Sequence, residues 1–226
     1  MKIKINKKYL LIIASVLAVA AIIFLIIKFG SPNKSEYFIE VNLPEEARLE
    51  LEQRREQNLE SLKLFPQNYR TFIDLGNIER ELGNASKSIE YFTKAWEVIP
   101  TNSTPWLNIG NVYIRLGMYQ EAEEAFLKAI DVNNTYYLTY FNLAKLYHDF
   151  LIEKSDQVRG VYLEGLYNTD NDYQLLQPFT DYLIEVGSYT EALQYLEILV
   201  TKLKPSERQQ VVDRMNYVQS LLEQAK

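Results

Sequence analysis

The chain has a single imidazole, His148, followed by a carboxylate, Asp149. A general base and the group that orients it need that pair of residue types. A hydrolytic set also needs a nucleophile held against the base, and there is neither a cysteine nor a second histidine. The same absences remove thiolate and imidazole metal sites, disulfides and a lipid-acylated cysteine. His148 is read as a partly exposed polar residue on a helix. Asp170-Asn171-Asp172 has the first residues of a calcium loop, but the glycine and the closing glutamate are missing from the required positions. It is read as a turn. There is no Gly-rich phosphate loop. The expectation is a chain that is not an enzyme, with no catalytic residue, cofactor or metal.

A non-catalytic chain works through a surface, and helices must carry it. All 30 acidic residues lie after residue 30, together with 19 of the 24 basic ones, so the body carries a formal −11 against −6 for the whole chain. Such a body repels nucleic acid and anionic lipid. Ahead of it, Tyr9 to Phe29 is apolar apart from Ser15 and Lys28, about 30 Å as a helix. A cleaved leader has a shorter apolar run that ends in small residues. Here Ala14, Ala18, Ala20 and Ala21 sit inside the run. The expectation is an uncleaved transmembrane helix over 9–29 behind a basic tail over 1–8. The four lysines of that tail place the N-terminus in the cytoplasm and the body outside it. Residues 30–44 read as a linker. Residues 45–68 read as a helix packing on the rest of the body, with Ala47, Leu51, Leu59 and Leu62 near helical spacing and Glu45 and Glu46 in its first turn.

Then a period begins. Phe72, Leu75, Gly76, Gly83, Phe92 and Ala95 recur 34 residues later as Trp106, Ile109, Gly110, Gly117, Phe126 and Ala129. Each period reads as two amphipathic helices. Gly76, Gly110 and Ala144 let paired helices approach, and Phe72, Trp106 and Tyr140 fill the space between units. Gly83 and Gly117 end a first helix in the left-handed region. Pro105 suits a first turn capped by Ser103 or Thr104. A third unit opens with Tyr140, Leu143, Ala144 and Tyr147, but Tyr162, Gly165 and Leu166 fit its second helix only with two residues inserted in the turn. Gly187, Tyr189, Ala192 and Leu196 then repeat Gly117, Tyr119, Ala122 and Phe126 at an offset of 70, two periods and two residues. That gives a fourth unit. Pro205 breaks the chain, and a last helix to about Gln224 has one apolar and one polar face.

This pattern resembles the tetratricopeptide repeat. It departs from that repeat at Glu79, where Tyr is usual, at Ser88, where Ala is usual, and at Asn134, where Pro is usual. The expected fold is all-α: an N-terminal transmembrane helix, then a tetratricopeptide-type α-solenoid of about four helix pairs (69–102, 103–136, 137–172, 173–204) with a C-terminal capping helix over 205–226.

The resemblance implies that the first helix of each unit lines a concave face. Its register puts Ile73, Leu107 and Phe141 at one position on that face. Asn77, Asn111 and Lys145 lie one turn on, Asn108 and Asn142 lie between, and Arg70, Arg80 and Arg115 stand at the margin. An apolar row flanked by amides and cations suits an extended segment or a helix, with the asparagines bonding its backbone. Relatives that clamp a C-terminal carboxylate need cations where this chain has Ile73, Leu138 and Asn142, which argues against that mode. The implied partners are a protein or peptide and, through the anchor, the membrane, with no nucleic acid. The expected place is a bacterial envelope, in a layout similar to ancillary translocon subunits. A homo-oligomer built by self-association and an organellar receptor with a cytosolic array are the alternatives.

Overall fold

The computed structural model describes residues 36–225. The expected membrane helix over 9–29, its basic tail and the start of the linker lie outside these residues. Among the described residues there are ten α-helices and no strand, and no helix is long and apolar enough to cross a membrane. Helix α1 (Glu45–Leu64) precedes four hairpin pairs: α2 (Tyr69–Glu81) with α3 (Ala85–Val98), α4 (Thr104–Arg115) with α5 (Tyr119–Val132), α6 (Tyr137–Asp149) with α7 (Val158–Asn168), and α8 (Tyr173–Glu185) with α9 (Tyr189–Lys202). Helix α10 (Arg208–Gln224) closes the stack against α9. The described part is a tetratricopeptide-like solenoid.

Close approach within a pair rests on bare backbone. A Cβ on Gly76 would stand 2.5 Å from the Phe92 ring, and one on Gly110 would stand 2.4 Å from Phe126. Both rings are fully buried, each burial contributing roughly 1.5–3 kcal/mol. In the third unit Ala144 holds the glycine position, and the bare contact moves to Gly165 on α7. A Cβ there would meet Leu175 at 2.6 Å and Tyr140 at 2.7 Å.

Three of the pairs turn through a glycine in the left-handed region, at Gly83, Gly117 and Gly187. The third lacks one. Its α6 ends at Asp149, a 3-10 segment (Ile152–Gln157) follows, and α7 has 11 residues where α3 and α5 each have 14. The 3-10 segment thus takes up the two extra residues together with the first turn of the second helix. Lys154 of the segment reaches back to α5, its Nζ 2.5 Å from Glu123, which also accepts from the Tyr147 hydroxyl at 2.5 Å. Burial, then the Glu123 hydrogen bond, pushes the Tyr147 phenol well above its ordinary range.

The departures from the repeat pattern have local partners. The Ser88 hydroxyl donates to the Gly76 carbonyl at 2.7 Å, inside the core. Glu79 is buried, and its carboxylate accepts from Asn84 Nδ2 at 2.6 Å. Asn134 offers its carbonyl to the Tyr140 hydroxyl at 3.0 Å. The expected cap of α4 is corrected: the Ser103 side chain makes no capping bond, and Asn102 Oδ1 accepts from Thr104 N at 2.9 Å. Asp170 and Asn171 have positive φ, and Asp172 caps α8 by accepting from Gln174 N at 2.8 Å. That triplet is a turn with a cap.

Helix α1 stops at Leu64, just ahead of Phe65-Pro66, because the residue before a proline is driven out of the helical region. It lies against α2 but buries no residue. Its N-terminal neighbour is held better. Ile39 N donates to the Gly83 carbonyl at 2.8 Å, Ser86 N donates to the Tyr37 carbonyl at 3.2 Å, and Tyr37 N donates to Ser86 Oγ at 2.7 Å. Ile39 packs on the core between the first two units. Residues 37–39 are thus an extended strap across the first turn of the array.

Two glycine substitutions should move stability in opposite directions. Gly110→Ala drives a methyl into Phe126 and should cost about 1–3 kcal/mol, more than the roughly 1 kcal/mol that alanine gains in a helix. Gly160 on α7 faces open space, so Gly160→Ala should gain up to about 1 kcal/mol. Denaturant midpoints of the two variants against the parent check both signs.

Candidate partner-binding face

At about 100° per residue, Ile73, Asn77 and Arg80 form one stripe on α2. Leu107, Asn108, Asn111 and Arg115 form the matching stripe on α4, and Phe141, Asn142 and Lys145 that on α6. Their surroundings differ. Leu107 is only 3% exposed and belongs to the core shared with the third unit. It presents no surface to a partner, which corrects its place in the row. Ile73 and Phe141 are half-buried and pack against the cores beside them. The apolar row is mainly packing between units.

The amides are different. Asn77, Asn108, Asn111 and Asn142 are each half-buried. The hydrogen bonds among the described residues include none from their side chains. Half-buried amides elsewhere in the chain find partners, as Asn84 and Asn168 do. Each free carboxamide has donors and an acceptor available to a peptide backbone. Arg70 is exposed at the start of α2. Arg115 is exposed and donates from Nη1 to the Arg80 carbonyl at 3.3 Å, linking the first two units. Arg80 pairs with its neighbour Glu81 at 3.2 Å.

Farther along, the face changes sign. Lys145 is ion-paired to Asp149. The His148 ring lies between two carboxylates, with Nδ1 2.7 Å from Asp149 Oδ1 and Nε2 3.2 Å from Glu185 Oε1. His148 thus bridges α6 and α8, with each ring nitrogen against a carboxylate. A recess of about 230 Å³ here is lined by Lys145, His148, Asp149, Tyr162, Asp181 and Glu185, among others. Arg214 of α10 is ion-paired to Asp181. Asp181 and Glu185 were absent from the expected row. The offset of 70 points to them, since it sets Asp181 against Asn111 and Glu185 against Arg115.

The bridge titrates. The hydrogen bond to Asp149 raises the His148 pKa above its ordinary 6.5, burial works against this, and the charges of Glu185 and Asp149 add to the rise. Burial tends to raise Asp149, but Lys145 and His148 outweigh it and hold that carboxyl low. A folded-state pKa above the unfolded one gives stability that is complete below the unfolded value and is lost as pH rises through the folded one. His148→Gln should therefore destabilise the protein at about pH 5.5 and matter little at about pH 8.5. Urea unfolding of the two proteins across that range tests the sign, and a gap that widens as pH rises would refute it.

Comparison with known proteins places the fold. Models of the tetratricopeptide repeat match residues 69–102 and 104–136. No curated protein sequence matches the chain. Among solved structures, Pseudomonas aeruginosa pilF is similar at a TM-score of 0.55 and 17% identity, covering 78% of this chain and 80% of that one. A thermophilic TPR protein of Thermus thermophilus gives 0.53 at 15% identity, covering 73% and 88%. MamA gives 0.51 at 20% identity, covering 73% and 96%. At these identities the likeness is one of fold. Residues 69–102 and 104–136 match the tetratricopeptide repeat, and the helices around them extend the same all-helical array.

Proposed function

We propose that the chain is a membrane-anchored, non-catalytic scaffold that holds a peptide or helix of a partner protein against the first-helix face of its array. Four half-buried amides without hydrogen-bond partners, Asn77, Asn108, Asn111 and Asn142, carry this reading. Unmet polar groups at the rim of a core cost stability unless water or a ligand serves them, and a regular row of them matches a backbone running across the units. Arg70 and Arg115 border the amide end, whereas Asp181 and Glu185 border the other. A bound segment that is acidic toward the first unit fits the exposed Arg70 and Arg115.

The anchor rests on the apolar run over 9–29, and the orientation on the lysines ahead of it. Tethering the array to a membrane raises its effective concentration toward partners in the same membrane. An array outside the cytoplasm, in envelope complex assembly or secretion, is the setting this favours. Protease added to intact cells should digest the body and spare the N-terminal tail. Full protection of the body would reverse the orientation.

The binding face has its own test. A photo-crosslinking residue at Asn111 should capture a partner that the same residue at exposed Leu127, on α5, does not. Asn77→Ala with Asn142→Ala should lower that capture about thirtyfold, at roughly 1 kcal/mol per lost hydrogen bond, with helix content and melting unchanged. Undiminished capture by the double variant would sink the amide-row reading.

A further inference from the structure

Helix α4 has a second face with its own chemistry. Trp106 and Tyr113 stand seven residues apart on one edge. At about 100° per residue that edge lies roughly opposite Leu107, Asn108, Asn111 and Arg115. Between this edge and α5 is a recess of about 300 Å³, lined by Trp106, Tyr113, Glu121, Glu124, Ala125 and Lys128. It combines two aromatic rings with two carboxylates spaced three residues apart on α5.

The charges there are unbalanced. Among the described residues, neither Glu121 nor Glu124 is ion-paired. Lys128, the cation at the rim, is engaged elsewhere, its Nζ 2.8 Å from Asp131. The negative field reaches the aromatic wall: burial first, then Glu121, Tyr37 and Glu124, pushes the Tyr113 phenol above its ordinary pKa. The indole N–H of Trp106 is buried with no acceptor among the described residues. The α3 side is already closed, with Trp96 edge-on to Trp106 at 5.5 Å between ring centres.

We infer that this recess binds the basic side chain, lysine or arginine, of an extended partner segment. A cation over an indole or phenol face is held by the ring quadrupole. Glu121 and Glu124 supply the counter-charge that the fold leaves unpaired. This side of the array already accepts extended backbone, because the strap at Tyr37–Ile39 pairs with Gly83 and Ser86, and Ile39 packs on the same cluster as Trp106 and Tyr113. The site is separate from the amide row and does not depend on it.

The chain has two tryptophans, so indole emission reports this region directly. In the full-length chain with Trp96→Phe, Trp106 is the sole indole. The probes are a capped pentapeptide with a central arginine between valines and its norleucine counterpart. The arginine peptide should shift Trp106 emission saturably and bind about fivefold or more tighter than the norleucine peptide at low salt. Glu121→Gln with Glu124→Gln should abolish that preference while leaving melting unchanged. Equal binding of the two peptides, a preference that survives in the double variant, or no saturable change up to millimolar peptide would each overturn the assignment.

Discussion

In the first two units a phenyl ring lies directly on a helical glycine, Phe92 on Gly76 and Phe126 on Gly110. Much else is set by that contact. It draws the two helices of a pair to a spacing at which one phenyl ring alone separates the backbones at that point. It also fixes the rotation of α2 and α4 about their axes. With the glycine turned toward the pair, Leu107 rotates into the core of the next unit and Asn77 and Asn111 rotate out of it. A shift of one residue, about 100°, would exchange buried and available groups along the whole helix. The polar face is in this sense a by-product of where the ring sits.

The four units are not equivalent. In the third unit an alanine replaces the glycine, the 3-10 segment takes the place of a helical turn, and a half-buried Glu123 bonded to Lys154 and Tyr147 ties the irregular segment to the unit before it. Interactions in a stacked array are between nearest neighbours, so an irregular unit is tolerated when its neighbour supplies what it lacks. The same position also marks the change from free amides to paired charges. Lys145, Asp149, His148, Glu185, Asp181 and Arg214 satisfy one another across α6, α8 and α10, whereas the amides of α2 and α4 have no hydrogen-bond partner among the described residues.

Much of this order was legible in the sequence, because packing between equivalent helices reuses the same few residue types at one period. The matches between Phe72–Ala95 and Trp106–Ala129 and the offset of 70 located the pairs and the insertion. The form of the insertion was not legible, since a 3-10 segment held by a carboxylate some thirty residues earlier has no local signature. Burial of Leu107 was missed for a related reason. Periodicity says which residues share a face, but neighbouring units decide how deep that face lies. Ser103 looked like a cap by type, and the carboxamide of Asn102, one residue earlier, outcompeted it. The membrane helix expected over 9–29 lies outside the described residues.

The strap has a topological consequence. Residues 37–39 are fastened to the turn at Gly83, and α2 is fastened to α3, so the stretch from Val41 to Asn68 starts and ends on the same unit. Helix α1, in which no residue is fully buried, is a handle spanning two fixed points. Those two points, at opposite ends of α2, keep a set separation whether or not it is docked, so most of the entropy of closing that loop is already spent. Tension on the chain ahead of Tyr37 would load the strap's hydrogen bonds and Ile39, and would bypass the handle.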